Sequence, residues 1–204
     1  MPGNRCGRYQ LLELLGRGGM ADVYAACRTD VEGPRARFAL KLLQRKWSLD
    51  PQLRAMFESE ARLTTSLHHP NVVRVYETGE HHGLPFMVME YVDGVSCAKI
   101  LRTVASRGER VPTGAALMIC AEVLEGLIHA HGAKDASGTP LGIVHRDVSP
   151  GNILISRSGR IKLADFGIAR STQIDHRTDP GQVKGKFGYM SPNLPFTWPG
   201  SVRW

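Results

Sequence analysis

The residues from Ile143 to Ser156, IVHRDVSPGNILIS, hold four polar side chains between two apolar runs. His145, Arg146 and Asp147 are consecutive, and Asn152 follows five residues after the aspartate. A second acid, Asp165, stands in ADFG. An acid and an amide on adjacent loops can hold a divalent cation through oxygen atoms. A further acid can orient a hydroxyl and accept its proton. Upstream, Lys41 lies inside the apolar run FALKLL. An unpaired buried ammonium is strongly disfavoured, so this lysine either reaches water or meets an anion. Glu60 is the candidate anion; the rival Glu58 lies about 200° away around the same helix. Between Leu15 and Val23, LGRGGMADV is a glycine-rich turn. Such a turn lets backbone N–H groups approach a phosphate, or simply closes a hairpin. A dinucleotide-binding fold would need a helix after the glycines, and DVYAAC is β-branched and aromatic instead. Ser149, in the midst of the polar quartet, offers no charge.

The elements that must position these residues fall into two groups. YQLLELLG (Tyr9–Gly16), DVYAACR (Asp22–Arg28) and RARFALKLL (Arg35–Leu43) are expected strands, bounded by glycine and proline turns. A helix follows, with Asp50 as its N-cap, Pro51 at its first position and Pro70 closing the segment. Leu53, Met56, Phe57, Leu63 and Leu67 give it an apolar face. NVVRVYETGE and LPFMVMEYV complete an expected five-stranded antiparallel meander with one inserted helix. After Asp93-Gly94 the pattern turns helical. One helix is capped by Ser96 and stopped by Gly108, and a long one runs through PTGAALMICAEVLEGLIHAHG to Gly132. Short strands ILIS and RIKLADF flank the turn at Ser158-Gly159. The boundary near Gly94 separates a strand-rich lobe from a helix-rich one, with a cleft expected between them.

Composition narrows the function. The chain has 204 residues, 42% hydrophobic and 22% charged, in the range of globular proteins. The net charge of +7 would suit a polyanion, but its cations are scattered and few aromatics alternate with them, so nucleic acid is not an expected partner. No apolar run is read as a membrane span, and the N-terminus lacks the apolar stretch of a signal peptide. Cys6, Cys27, Cys97 and Cys120 are far apart without metal-ligand spacing, which suggests reduced thiols and a cytoplasmic setting. The pairs His68-His69 and His81-His82 are expected to point apart, His69 belonging to the HPN turn and the others facing water.

Five motifs in order, GRGGMADVY, FALK, HPNVVRVY, HRDVSPGN and ADFG, resemble those of eukaryotic-like bacterial Ser/Thr protein kinases, from Tyr9 to about Pro192. The resemblance implies an α+β, two-lobed protein kinase fold with a five-stranded antiparallel N-lobe (9–92) and a partial, helical C-lobe (93–192). A tail (193–204) would follow. It implies ATP and Mg2+ as cofactors and a protein serine or threonine as acceptor. On this likeness Leu15, Gly16, Arg17, Gly18, Gly19, Met20, Ala21 and Asp22 belong to the ATP site, with Gly16, Gly18 and Gly19 covering the phosphates. Lys41, paired to Glu60, binds the α- and β-phosphates. Met89 is the gatekeeper, and the backbone of Glu90 and Val92 holds adenine, which Ala39, Val23 and Leu154 sandwich. Asp147 is the catalytic base, and Asn152 and Asp165 hold magnesium.

Three positions depart from the family pattern. Ala21 replaces the third glycine of the phosphate loop. Ser149 stands where a lysine usually reaches the γ-phosphate; Lys186, in VKGKFGYMSP, is a candidate to supply that charge from across the cleft. Asn193 takes the place of a glutamate, and two tryptophans and two prolines crowd into 195–204. A shifted or shortened reading frame is the expectation from that break, with an incomplete C-lobe, an apolar side of the long helix left bare and weak activity. Ser171, Thr172 and Thr178 are candidate phosphorylation sites. A nucleotide-binding pseudokinase and an inactive fragment stand as alternatives to an active enzyme.

Overall fold

In the computed structural model, which describes residues 5–30 and 36–166, the elements follow the sequence signals closely. Strands β1 (Arg5–Cys6), β2 (Tyr9–Arg17), β3 (Ala21–Arg28) and β4 (Arg37–Leu43) lead to helices α1 (Arg45–Ser48) and α2 (Pro51–Thr65). Strands β5 (Val75–His81), β6 (Leu84–Glu90) and β7 (Gly94–Ser96) come next, followed by α3 (Cys97–Ser106) and α4 (Thr113–His131). A 3-10 turn at Pro150–Asn152 opens onto β8 (Ile153–Ser156) and β9 (Ile161–Leu163). Ser171, Thr172, Thr178, Lys186, Asn193 and the 193–204 tail lie outside the described residues.

Two expectations need amendment. The first sheet has six strands, because β1 pairs with β2 through Arg5–Gln10 and Cys6–Tyr9. Its order, β1-β2-β3-β4-β6-β5, is also not a meander: the chain leaves β4, builds α2, and places β5 at the edge before β6 returns beside β4. The alternation that marks strands does not say which neighbours pair. β6 takes the central place because it is apolar throughout, with Pro85 to Met89 buried, whereas β5 exposes most of its residues. A second, three-stranded antiparallel sheet, β7-β8-β9, includes Gly94–Ser96, which reads in the sequence as the approach to a helix. Gly94 fits there because a Cβ would come within 2.1 Å of the Ile155 carbonyl oxygen.

α2 begins as its sequence dictates. The Asp50 carboxylate accepts hydrogen bonds from the Gln52 and Leu53 N–H groups, and Pro51 occupies a first-turn position whose N–H would be orphaned anyway. Leu53, Phe57, Glu60, Ala61 and Thr64 form its buried stripe. Ser96 caps α3 through the Lys99 N–H.

Three apolar clusters result. One lies on one face of the large sheet, around Cys6, Tyr9, Leu40 and Phe86. A second lies between that sheet and α2, around Leu43, Phe57, Met87 and Met89. The third gathers Leu67, Val72, Val123, Ile143, Leu163 and Phe166 between α4 and β9. The β9 backbone is tied to the segment after α2, Leu163 donating to the Asn71 carbonyl and accepting from the Val73 N–H. Both sheets belong to one compact unit, Met1–Ser171.

α4 corrects the reading that no segment is long enough to span a membrane. Among the described residues, Thr113–His131 is the one helix that passes by length and composition. Its inner face nevertheless packs as part of a protein core. Gly126 lies against the Asn71–Val72 backbone, and the mid-helix Glu122 accepts a hydrogen bond from the Asn71 side chain. Leu117, Met118, Leu124 and Ile128 on its other side are exposed.

Candidate active site

Lys41 sits at the centre of β4, opposite Val23 on one neighbour and Met87 on the other. Its Nζ lies 2.6 Å from Glu60 Oε1 and 3.0 Å from Asp165 Oδ1, with 13% of the side chain exposed. Burial alone lowers the affinity of this ammonium for its proton. The Asp165 and Glu60 carboxylates outweigh that and hold its pKa above the ordinary lysine value. Burial raises the Glu60 pKa, because Lys41 shares its charge with Asp165 and does not fully offset desolvation. Glu60, not Glu58, makes this contact; Glu58 pairs with Arg54 on the outer face of α2.

The polar quartet is built around His145. This ring is 1% exposed and lies 4.6 Å, centroid to centroid, from Phe166. Its Nδ1 accepts from the Asp147 N–H at 3.2 Å, which leaves Nε2 to donate to the Ala164 carbonyl at 3.1 Å. The neutral ring thus ties the loop carrying Asp147 to the residue preceding Asp165, and burial depresses its pKa. Arg146 is exposed and takes φ +59, and Asp165 takes φ +55. Both are left-handed conformations that non-glycine residues adopt uncommonly, one beside Asp147 and the other at Asp165 itself. Asn152 donates through Nδ2 to the Asp147 carbonyl and to its Oδ2, each at 2.9 Å. Its own carbonyl accepts from the Ala164 N–H at 2.8 Å. An unbroken series of contacts therefore links Glu60, Lys41 and Asp165 through Ala164 and Asn152 to Asp147. The amide of Asn152 and the carboxylate of Asp165 bring hard oxygen donors to adjacent segments, a donor set that fits Mg2+, which keeps waters and takes phosphate oxygens for its remaining positions.

The residues expected around adenine also come together. Ala39, Val23, Met89, Val92 and Leu154 share one apolar cluster with Met20 and Ala21. Met89 pairs with Ala39 across β4 and β6, and Glu90 donates its N–H to the Arg74 carbonyl. Leu15, Gly16 and Arg17 end β2, with Gly16 opposite Val23 and Arg17 opposite Asp22. Gly18 and Gly19 form the exposed tip, closed by the Gly18 N–H to the Ala21 carbonyl at 2.9 Å. A Cβ on Gly18 would meet that carbonyl oxygen at 2.9 Å, so the tight turn needs glycine there. Ser149 is 5% exposed, and its Oγ finds no hydrogen-bond partner among the described residues.

Several contacts had no counterpart in the reading of motifs. Gln44 and Trp47, before and within α1, hydrogen-bond the carbonyls of the glycine loop. Lys162 is 7% exposed and pairs with Glu90 at 2.8 Å. A lone lysine in IKL was the available signal for the latter, on the reasoning that singled out Lys41. The histidines differ from expectation too. His81 and His82 do not diverge, their centroids lying 4.1 Å apart, and His69 stacks on His129 at 5.0 Å because α4 ends beside the turn after α2.

Comparison with known proteins agrees with this geometry. The protein kinase domain family matches residues 9–195. Tyrosine-protein kinase MasK of Myxococcus xanthus is 35% identical over 186 residues, covering 91% of this chain and 29% of that protein. Serine/threonine-protein kinase PrkC of Bacillus subtilis is 37% identical over 186 residues, covering 91% and 26%. The chain thus spans less than a third of the length of these curated relatives. The crystal structure of the Mycobacterium tuberculosis PknI kinase domain superposes with a TM-score of 0.65 at 31% identity, over 83% of this chain and 64% of that one. The chain belongs to the protein kinase family.

Proposed function

We propose that the chain carries the nucleotide-binding and catalytic core of an ATP-dependent kinase that phosphorylates serine or threonine of a protein substrate. The observation that supports it most is the Lys41 ammonium held between Glu60 and Asp165, which keep it charged in a buried strand, as the binding of a phosphate requires. In this reading the lobe boundary runs near Gly94. Adenine enters the apolar cluster between Ala39, Val23 and Leu154, against the backbone of Glu90 and Val92, and Met89 limits its depth. Lys41 binds the α- and β-phosphates. Asn152 and Asp165 hold Mg2+, which neutralises charge building up on the phosphate oxygens. Asn152 also fixes one carboxylate oxygen of Asp147, orienting that acid toward the acceptor hydroxyl. The hydroxyl oxygen forms the new bond to the γ-phosphorus, its proton passes to Asp147, and the bond from phosphorus to the β–γ bridging oxygen breaks, releasing ADP.

Two measurements test this. ATP should raise the unfolding midpoint of the chain, and Mg2+ should enlarge that rise. In an Asp165→Asn variant the Mg2+ increment should vanish while Mg2+-free binding persists. Radiolabel transfer from γ-labelled ATP to a Ser/Thr protein then separates an enzyme from a binder. A second reading, a nucleotide-binding partner without transfer, draws on Ser149, which is buried and uncharged at the position where the family resemblance calls for a cation. It predicts ATP stabilisation with no label transferred.

A further inference from the structure

The glycine-rich turn is gripped from one side. The Gln44 side chain donates through Nε2 to the Gly18 carbonyl at 3.1 Å and to Asp22 Oδ1 at 2.8 Å. The Trp47 indole donates through Nε1 to the Gly19 carbonyl at 2.8 Å, and the Gln44 backbone N–H donates to the Met20 carbonyl at 2.9 Å. Three successive carbonyls, of Gly18, Gly19 and Met20, therefore all face the 44–47 segment. In a trans peptide the C=O of one residue and the N–H of the next point in opposite directions. Holding the carbonyls of Gly18 and Gly19 on the α1 side thus turns the N–H groups of Gly19 and Met20 to the other side. Successive N–H groups facing one way form an anion-binding concavity. Glycines by themselves do not specify this: Gly18 and Gly19 are exposed, and glycine backbone is the least restrained of any residue. Trp47 is well anchored for the task. Its ring packs on the apolar cluster of Phe57 and Met87, and Lys46 Nζ lies 4.9 Å from its centroid on the ring face.

We propose that Gln44 and Trp47 are positioning residues for the nucleotide phosphates: they clasp the carbonyls of the glycine loop so that its N–H groups are presented to ATP before it binds. This rests on the ATP-binding reading above and adds to it what orders the loop. The hydrogen bonds of the clasp reach only the loop, at Gly18, Gly19, Met20 and Asp22, so removing them acts on nucleotides according to their phosphates and spares a nucleoside.

Trp47→Phe keeps the packed ring and removes the indole N–H; Gln44→Met keeps the length and removes the amide. Titration calorimetry on the full chain with Mg-ATP and with adenosine, alongside unfolding midpoints of the free protein, tests the clasp. Each single variant is expected to weaken ATP roughly fivefold, the worth of about one neutral hydrogen bond, and the double variant tenfold or more. Adenosine affinity should stay unchanged, and the midpoint of the free protein should fall by no more than about 2–4 °C for each hydrogen bond removed. A parallel fall in ATP and adenosine affinity, an unchanged ATP affinity in the double variant, or tighter ATP binding each overturns the clasp while leaving the nucleotide site intact. If the unsubstituted chain binds neither ligand, the ATP reading falls and the clasp's role falls with it.

Discussion

Replacing Lys162 by methionine tests whether the end of β6 and strand β9 are joined by a buried ion pair. Lys162 is 7% exposed, and its ammonium lies 2.8 Å from Glu90 Oε2, with the Val72 carbonyl at a long 3.4 Å. The Glu90 side chain is 21% exposed. Removing one member of a fully buried pair costs about 3–5 kcal/mol, chiefly by stranding the other charge. Here the stranded Glu90 retains some contact with water, so Lys162→Met should cost nearer ~2 kcal/mol. β9 itself stays attached through the backbone bonds of Leu163 to Asn71 and Val73, which limits the damage to the pair. For a chain of this size each kcal/mol moves the unfolding midpoint by about 2–4 °C, so the expected drop is about 4–8 °C. Glu90→Gln should cost more, about 3 kcal/mol, because it strands the deeper of the two charges. The double variant Lys162→Met/Glu90→Gln should be more stable than the Glu90→Gln single, since no unpaired charge remains. Thermal unfolding followed by circular dichroism reads all three. A Lys162→Met midpoint within 2 °C of the unsubstituted chain, or a double variant whose loss equals the sum of the singles, would refute the pair's role (a threshold set at about half the smallest expected shift).

Further outcomes follow from the same geometry. Lys41→Met should lower phosphoryl transfer at least about a hundredfold, the usual effect of deleting a preorganised cation or donor, while the fold persists; kinetics beside a circular dichroism spectrum checks both. His145 has a depressed pKa in the folded chain, so unfolding takes up a proton below the ordinary value of 6.5. Its contribution to stability is then complete above that pH and declines as pH falls below it; midpoints measured from pH 7.5 to 5 should fall, and less steeply in His145→Gln. Leu117, Leu124 and Ile128 are 65%, 56% and 65% exposed along one side of α4. Changing them together to Lys, Glu and Lys should reduce light scattering by the purified chain without lowering its midpoint. Ser149→Ala removes a buried hydroxyl that lacks a partner among the described residues, so it should be neutral or stabilising by up to ~1 kcal/mol; a lower midpoint would show that the hydroxyl is bonded in the fold.

Local signals carried most of the fold. Asp50-Pro51 and Ser96 act through bonds that reach two or three residues along the chain, so the starts of α2 and α3 were readable without tertiary information. Strand order was not, because pairing depends on which strand can be buried on both faces. The apolar run of β6 contains that information, yet it yields an order only when compared with the exposed pattern of β5. β7 was hidden for a related reason. Three residues carry no period, and they become a strand only because β8 supplies the partner.

The site was legible where an ionisable residue interrupts an apolar run, for there the physics demands a partner and helical geometry narrows the choice. Lys41 called for an anion by that route; helical geometry separated Glu60 from Glu58, the family resemblance favoured Glu60, and the 2.6 Å contact is the outcome. Lys162 interrupts a run in the same way, and Glu90 answers it at 2.8 Å. The Gln44–Trp47 contacts obey no such rule. Gln44 and Trp47 break no apolar pattern, and apart from the Asp22 carboxylate the groups they serve are backbone carbonyls, which every residue possesses and no sequence marks. A glycine-rich turn reveals in sequence that backbone can approach a phosphate. Which way its peptides face is decided by side chains some twenty-five residues away, and hence by the fold that brings α1 against the turn.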